Sequence, residues 1–208
     1  ALAISDEKKI SWLDFMAQGS FRSLFLSGEG GGKLLQQRLI KRGAKERALK
    51  NINFWWPKDR ERLKLGDNTH ITNLVKIINE TRSDVVFLDP FIKFHEMDEN
   101  STQDMAKIME AIWDIREQTG SAVVMVHHTR KSGFESKSGS LQETRGSSVS
   151  TGEVDTGLIL SRADTHRRLH LDFELRWDEE PKTRGISLNR DLTFDVESKF
   201  YRNAGEVK

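Results

Sequence analysis

An apolar run ending in a carboxylate stands near the middle of the chain: Val85-Val86-Phe87-Leu88-Asp89-Pro90. β-Branched and large apolar residues in a row read as a strand buried on both faces, as in a parallel sheet. Pro90 has no N–H to give to a central ladder, so the strand stops at the acid. Open α/β sheets place their ligands at the C-terminal ends of such strands. Asp89 there can hold hydrated Mg²⁺ against a phosphate chain, or it can simply cap the next turn. Glu29 follows a second such strand, Phe21 to Ser27, between glycines that let the backbone turn sharply and a ligand approach. A carboxylate in that place can orient or deprotonate an attacking water. A third strand, Ser121 to His128, ends in His127-His128. An imidazole there can donate to a developing phosphate charge, while His128 reads equally well as a structural histidine. Neighbours on a strand point to opposite faces, so only one of the pair easily joins a shared site. A second arrangement of the same groups, Asp89, His95, His127 and His128 around a protein-bound metal ion, stays open at this point.

The segment Gly28-Glu29-Gly30-Gly31-Gly32-Lys33 invites a phosphate-loop reading, and its place between a strand and a helix suits one. Its spacing does not. Gly-x-x-x-x-Gly-Lys-Ser/Thr requires a glycine where Ser27 stands and a hydroxyl where Leu34 stands. Arg145, in a polar stretch, is either solvated or able to stabilise phosphate charge in its own or a neighbouring subunit's site. Arg130, Lys131 and Lys137 lie in or beside the serine- and glycine-rich stretch 132–140 and suit electrostatic contact with a nucleic-acid backbone. Seven basic residues against one acid between Lys33 and Lys50 read as a solvated helix face before they read as a nucleic-acid site.

These groups need elements to hold them. Helical spacing of Leu34, Leu35, Leu39 and Ile40 predicts a helix over 33–42, and Ile71, Leu74, Val75 and Ile78 predict one over 68–81. Met105, Ile108, Ile112 and Ile115 predict a third over 101–119, with Ser101 as its N-cap and Gly120 just past its end. Residues 51–57 are aromatic and ambiguous. From Leu169 to Trp177, apolar and polar residues alternate with period two, as in a half-exposed antiparallel strand. Residues 157–161 read as a strand as well, and 186–188 and 192–196 as strands flanking a turn at Asn189-Arg190-Asp191. Strand–helix alternation followed by strands alone implies an α/β fold. Its sheet is mostly parallel, flanked by helices, with an antiparallel extension at the C-terminal end. One domain over 1–196 and a charged tail over 197–208 account for the 208 residues.

Composition narrows the class. The absence of cysteine excludes disulfides and thiolate-held metals and suits the cytoplasm. No apolar run reaches the length of a membrane span, no signal peptide is visible, and the mean hydropathy is -0.59. A net charge of +1, from 33 basic and 32 acidic residues, says nothing about partners by itself.

Several segments in order carry a resemblance: Phe25 to Glu29, Val85 to His95, Asp98-Glu99-Asn100 with the Met105-Ala106 helix, Val123 to Lys131, and Thr144 to Asp155. Over roughly residues 20 to 178 the chain resembles RecA-like ATPases of the RepA hexameric replicative helicase type. The resemblance implies a RecA-like core using ATP and Mg²⁺ as a motor in plasmid, phage or mobile-element DNA replication. Glu29 would be the carboxylate that polarises water, Asp89 the Walker B acid, and His127 or His128 the γ-phosphate sensor. Residues 132–143 would be the loop facing DNA, single-stranded in the central channel of a homo-oligomeric ring. Where the family carries its arginine finger this chain has Asp155 and its neighbours, which leaves Arg145 as the candidate. The family's phosphate loop precedes the Glu29 strand. Ala1-Leu2-Ala3-Ile4 reads as the end of that loop's helix, so a truncated chain with weak nucleotide binding is expected. Two other classes remain as alternatives: a non-catalytic DNA-binding or ring-scaffold protein with an inactive nucleotide site, and a metal-dependent hydrolase.

Overall fold

The computed structural model describes residues 1–6, 11–56, 63–128, 152–163 and 167–197. They fall into two compact units, 1–128 and 152–197. In the first, α1 (Leu2–Ser5) and a hairpin of β1 (Ser11–Trp12) and β2 (Phe15–Met16) precede β3 (Ser23–Ser27). Then come α2 (Gly31–Lys41), α3 (Glu46–Leu49), β4 (Ile52–Trp55), α4 (Asn68–Thr81) and β5 (Val85–Asp89). A 3₁₀ turn (Phe91–Phe94), α5 (Thr102–Thr119) and β6 (Ala122–Met125) complete it.

β3 to β6 form one parallel sheet in the order β4-β3-β5-β6. Parallel neighbours require crossover connections, and the intervening helices supply them. Leu24 and Leu26 of β3 pair in register with Val86 and Leu88 of β5. These four join Leu74 and Ile78 of α4 and Met105, Ile108, Ile112 and Ile115 of α5 in a continuous buried core. Each such side chain contributes roughly 1.5–3 kcal/mol by leaving water. Capping explains where the two long helices begin and end. The Asp67 carboxylate accepts from the Thr69 and His70 amides at the start of α4, and the Ser101 hydroxyl accepts from the Asp104 amide at the start of α5. Gly120 closes α5 at φ 68°, a left-handed conformation that glycine adopts without a Cβ clash.

Two expectations change here. β5 is not buried on both faces. Val86 and Leu88 are buried, while Val85, Phe87 and Asp89 are half-buried. The outer face carries a row of phenylalanines, with Phe25 ring-centred 5.8 Å from Phe87 and 6.1 Å from Phe54. The apolar stripe expected on the helix after Glu29 is also only partly covered, with Leu35 and Leu39 half-buried. No side chain of α2 is buried among the described residues, and Leu34 and Ile40 are exposed.

The second unit is an antiparallel sheet of its own rather than a continuation of the first. Its strands are β7 (Thr156–Arg162), β8 (Arg168–Leu175), β9 (Arg184–Leu188) and β10 (Phe194–Val196), in the order β10-β9-β8-β7. Ile159, Leu171, Phe173 and Ile186 are its buried apolar residues. Among the described residues no helix is long and apolar enough to cross a membrane.

Candidate functional site

Parallel strands end on one edge, and the polar groups of the site lie at the ends of β3, β5 and β6. Ser27 is in register with Asp89. Just beyond, the Gly28 amide donates to the Asp89 carbonyl at 2.7 Å, holding the two strand ends together. Gly28 has to be glycine there, since a Cβ would lie 2.6 Å from Cβ of Lys93. Gly30 and Gly31 follow with φ of 78° and 60° and turn the chain into α2. The glycines thus serve a close approach and a sharp turn, which accounts for a glycine-rich segment that lacks phosphate-loop spacing.

Glu29 stands on that turn with its side chain 59% exposed, and its carboxylate lies 3.4 Å from Nζ of Lys93. Asp89 is more enclosed. Burial pushes its carboxyl above the ordinary value. Arg38 of α2 opposes that shift, Glu29 adds to it, and His128 opposes it. Asp89, Glu29, Arg38 and His128 therefore share one field. A partly desolvated carboxylate beside a second acid lacks full compensation, and it suits a hard divalent cation. Among the described residues no three His, Asp or Glu side chains are placed to hold a metal ion by themselves. That is compatible with Mg²⁺, which takes one or two carboxylates and completes its shell from waters and phosphates. It removes the support for a protein-held cluster of Asp89, His95, His127 and His128.

At the end of β6 the Val126 amide donates to the Leu88 carbonyl at 3.0 Å, and the Val126 carbonyl accepts from the Phe91 amide at 2.8 Å. His127 and His128 then diverge. His128 acts on Asp89. His127 places Nε2 3.1 Å from Oε1 of Glu99 and Nδ1 2.9 Å from the carbonyl oxygen of His128. His95 is buried, 4% exposed, with its ring centred 4.7 Å from that of Phe91. Burial holds its imidazole below the ordinary value, against the pull of Glu99.

The structure thus brings Glu29, Asp89, His127 and His128 to one sheet edge. Arg130, Lys131, Lys137, Arg145 and the stretch 132–143 lie outside the described residues. Three contributors escaped the sequence reading. Lys93 lies four residues past Asp89 on the 3₁₀ turn, and Arg38 belongs to a basic run that looked like solvated helix. Glu99 has one legible signal, its i,i+4 spacing from His95.

A family model described as an AAA domain matches residues 1–133. No curated protein matches the sequence. The match covers well over half of the chain and contains the whole parallel-sheet unit, so the chain belongs to the AAA-domain family, whose members are ATPase-type nucleotide-binding proteins.

Proposed function

We propose that this AAA-domain protein is the core of an ATP- and Mg²⁺-dependent DNA motor, a replicative helicase of the RecA-like, RepA hexameric type. The observation that carries the reading is the pairing of two carboxylates. Glu29 follows β3 and Asp89 ends β5, on adjacent parallel strands with Ser27 and Asp89 in register. One acid is enclosed and the other is exposed, an asymmetry that separates a cation ligand from a residue that meets water.

In this reading Asp89, at the end of β5, would hold Mg²⁺, and the ion when bound would supply positive charge that stabilises the phosphates. Glu29 accepts a hydrogen bond from the attacking water and aligns it, and Lys93 restrains the Glu29 carboxylate at 3.4 Å. His127 or His128 donates to the phosphate oxygens as charge builds there. Arg145 supplies charge from a neighbouring copy in a ring. Arg130, Lys131 and Lys137 contact the backbone of single-stranded DNA, an interaction that weakens steeply with salt.

The 208 residues contain no Gly-x-x-x-x-Gly-Lys-Ser/Thr. By themselves they lack the amide cradle and the lysine that such a loop gives the phosphates, and weak ATP binding follows. The same observation supports a second reading, a DNA-binding ring scaffold with an inactive nucleotide site. ATP hydrolysis by the protein, with and without single-stranded DNA, decides between them. Glu29→Gln and Asp89→Asn are each expected to lower turnover by roughly 10²–10⁴-fold, the usual worth of a positioned acid or base. Wild-type turnover in both variants would sink the role assignment. Absent hydrolysis in the wild type, with DNA binding indifferent to ATP, would establish the scaffold.

A further inference from the structure

Of the basic run on α2, only Arg38 enters the field of the strand-end site. From Gly30 to Lys45 the charged residues are Lys33, Arg38, Lys41, Arg42 and Lys45, all of them basic. Helical spacing turns Leu35 and Leu39, both half-buried, toward the protein. It turns Lys33, Leu34, Gln37, Arg38, Ile40 and Lys41 away, and all six are exposed. Leu34 is 41% exposed and Ile40 71%. The outward face of α2 is thus an apolar pair set between Lys33 and Lys41. Cations alone would suit a phosphate backbone, but the apolar pair between them gains nothing there and is better met by a protein surface.

α5 carries the converse. Its outward face bears Glu110, Asp114 and Glu117, all exposed, around Trp113, which is 40% exposed. Lys107 on the same helix faces Asp104 at 3.8 Å, and Arg116 lies over the Trp113 ring at 4.4 Å. α4 alongside is not acidic, since Lys76 and Glu80 pair at 3.8 Å. The two faces match in length as well as in sign. Lys33 and Lys41 stand about 12 Å apart along their helix axis, and Glu110 and Glu117 about 10.5 Å. Each pair of charges brackets apolar surface, Leu34 and Ile40 on α2 and Trp113 on α5.

Topology sends the two faces in opposite directions. The sheet order is β4-β3-β5-β6, so the step from β3 to β4 runs one way and the steps from β4 to β5 and β5 to β6 run the other. Right-handed crossovers then place α2 on one face of the sheet and α4 and α5 on the other. The core agrees, because it packs side chains of α4 and α5 on Leu24, Leu26, Val86 and Leu88 and takes none from α2. One copy cannot satisfy its own two faces, whereas two copies can.

We propose that copies of this chain associate head to tail, with the basic, apolar face of α2 seated on the acidic, Trp113-bearing face of α5 in the next copy. Such a contact uses different surfaces on its two sides, so it repeats from copy to copy until a ring closes or a filament grows. It rests on the proposed function only in that copies associate. It is tested without nucleotide, so either can fail alone.

The test is the mass of the 208-residue chain by sedimentation over a dilution series. It compares the wild type, Lys33→Glu/Lys41→Glu, Glu110→Lys/Glu117→Lys, and the chain with all four changes. These positions are exposed, so circular dichroism and the thermal midpoint should stay close to those of the wild type. The wild type is expected to associate reversibly, and less so at high salt. Each double variant should associate at least about 10-fold more weakly, because like charges then face each other. The chain with all four changes restores opposite charges and should recover the wild-type mass. A wild type of one-chain mass at every concentration overturns the proposal, as do double variants that associate like the wild type. Loss in the double variants without recovery in the fourfold variant overturns the pairing of these two faces. Weaker binding of a single-stranded oligonucleotide by Lys33→Glu/Lys41→Glu, with its mass unchanged, would make α2 a nucleic-acid surface instead.

Discussion

The two sheets of this protein treat their strand ends in opposite ways. In the parallel sheet β3, β5 and β6 all run the same direction, and Glu29, Asp89 and His127-His128 gather along one edge. In the antiparallel sheet neighbouring strands reverse, as Thr156 opposite Leu175 and Arg162 opposite Leu169 show. Polar groups at consecutive strand ends are therefore sent to opposite edges. Convergence of distant sequence positions on one site is a property of the first topology and not of the second. The difference extends to burial. The parallel sheet packs Leu24, Leu26, Val86 and Leu88 beneath α4 and α5, whereas β7 leaves Leu158 and Leu160 half exposed, at 52% each.

That contrast can be broken in three steps of decreasing size. The largest is at Ile108 of α5, 0% exposed under the parallel sheet. Ile108→Ala should cost about 2–5 kcal/mol by leaving a cavity, and Leu158→Ala, at an exposed position, within roughly 0.5 kcal/mol. Urea unfolding measures both, and equal losses would erase the distinction. Hydrogen exchange sharpens it, since faster exchange in Ile108→Ala is expected in β3, β5, α4 and α5 before it reaches β8. The next step is the cap of α5. Ser101→Ala removes the acceptor for the Asp104 amide and should cost about 1 kcal/mol in the same titration. A neutral result would mean that packing against the sheet, not the cap, decides where the helix starts.

The smallest effect is a slope with pH. Burial lowers the value of His95 in the folded protein. Below an ordinary value of about 6.5 the unfolded chain then binds more protons than the folded one. Stability of the parallel unit should fall as pH drops from there through the folded value, and His95 should contribute nothing above that window. Asp89 acts with the opposite sign, because its raised value means that stability falls as pH rises from about 3.9 through the folded value. At neutral pH the ionised Asp89 is therefore a cost to folding. Asp89→Asn should melt slightly higher than the wild type while losing turnover, and His95→Asn should flatten the fall of the urea midpoint as pH drops below about 6.5. A wild-type slope in His95→Asn would assign the titration elsewhere.

Much of this was legible before any coordinates. The helix over 68–81 has the predicted bounds, because Ile71, Leu74, Val75 and Ile78 give an unambiguous stripe and Asp67 caps it. The helix after Ser101 and the strand ending at Asp89 were equally plain. The aromatic segment 51–57 was not. Ile52–Trp55 pairs with β3 as an edge strand, and its Phe-Trp-rich sequence has no alternation to announce that. The apolar stripe after Glu29 misled, because Leu34 and Ile40 report helical spacing and not what covers the helix.

Local chemistry in the sequence determined the elements and the identity of the reactive groups. Periodicity, caps, a proline stop and acids at the ends of apolar runs act within a few residues of one another. Which groups meet was decided only by the tertiary structure. Glu99 reaches His127 across α5 and β6, and Arg38 reaches the field of Asp89 from a helix that looked like solvated surface. Parallel pairing decides such meetings, because each crossover returns the chain to the same edge and sets residues tens of positions apart side by side.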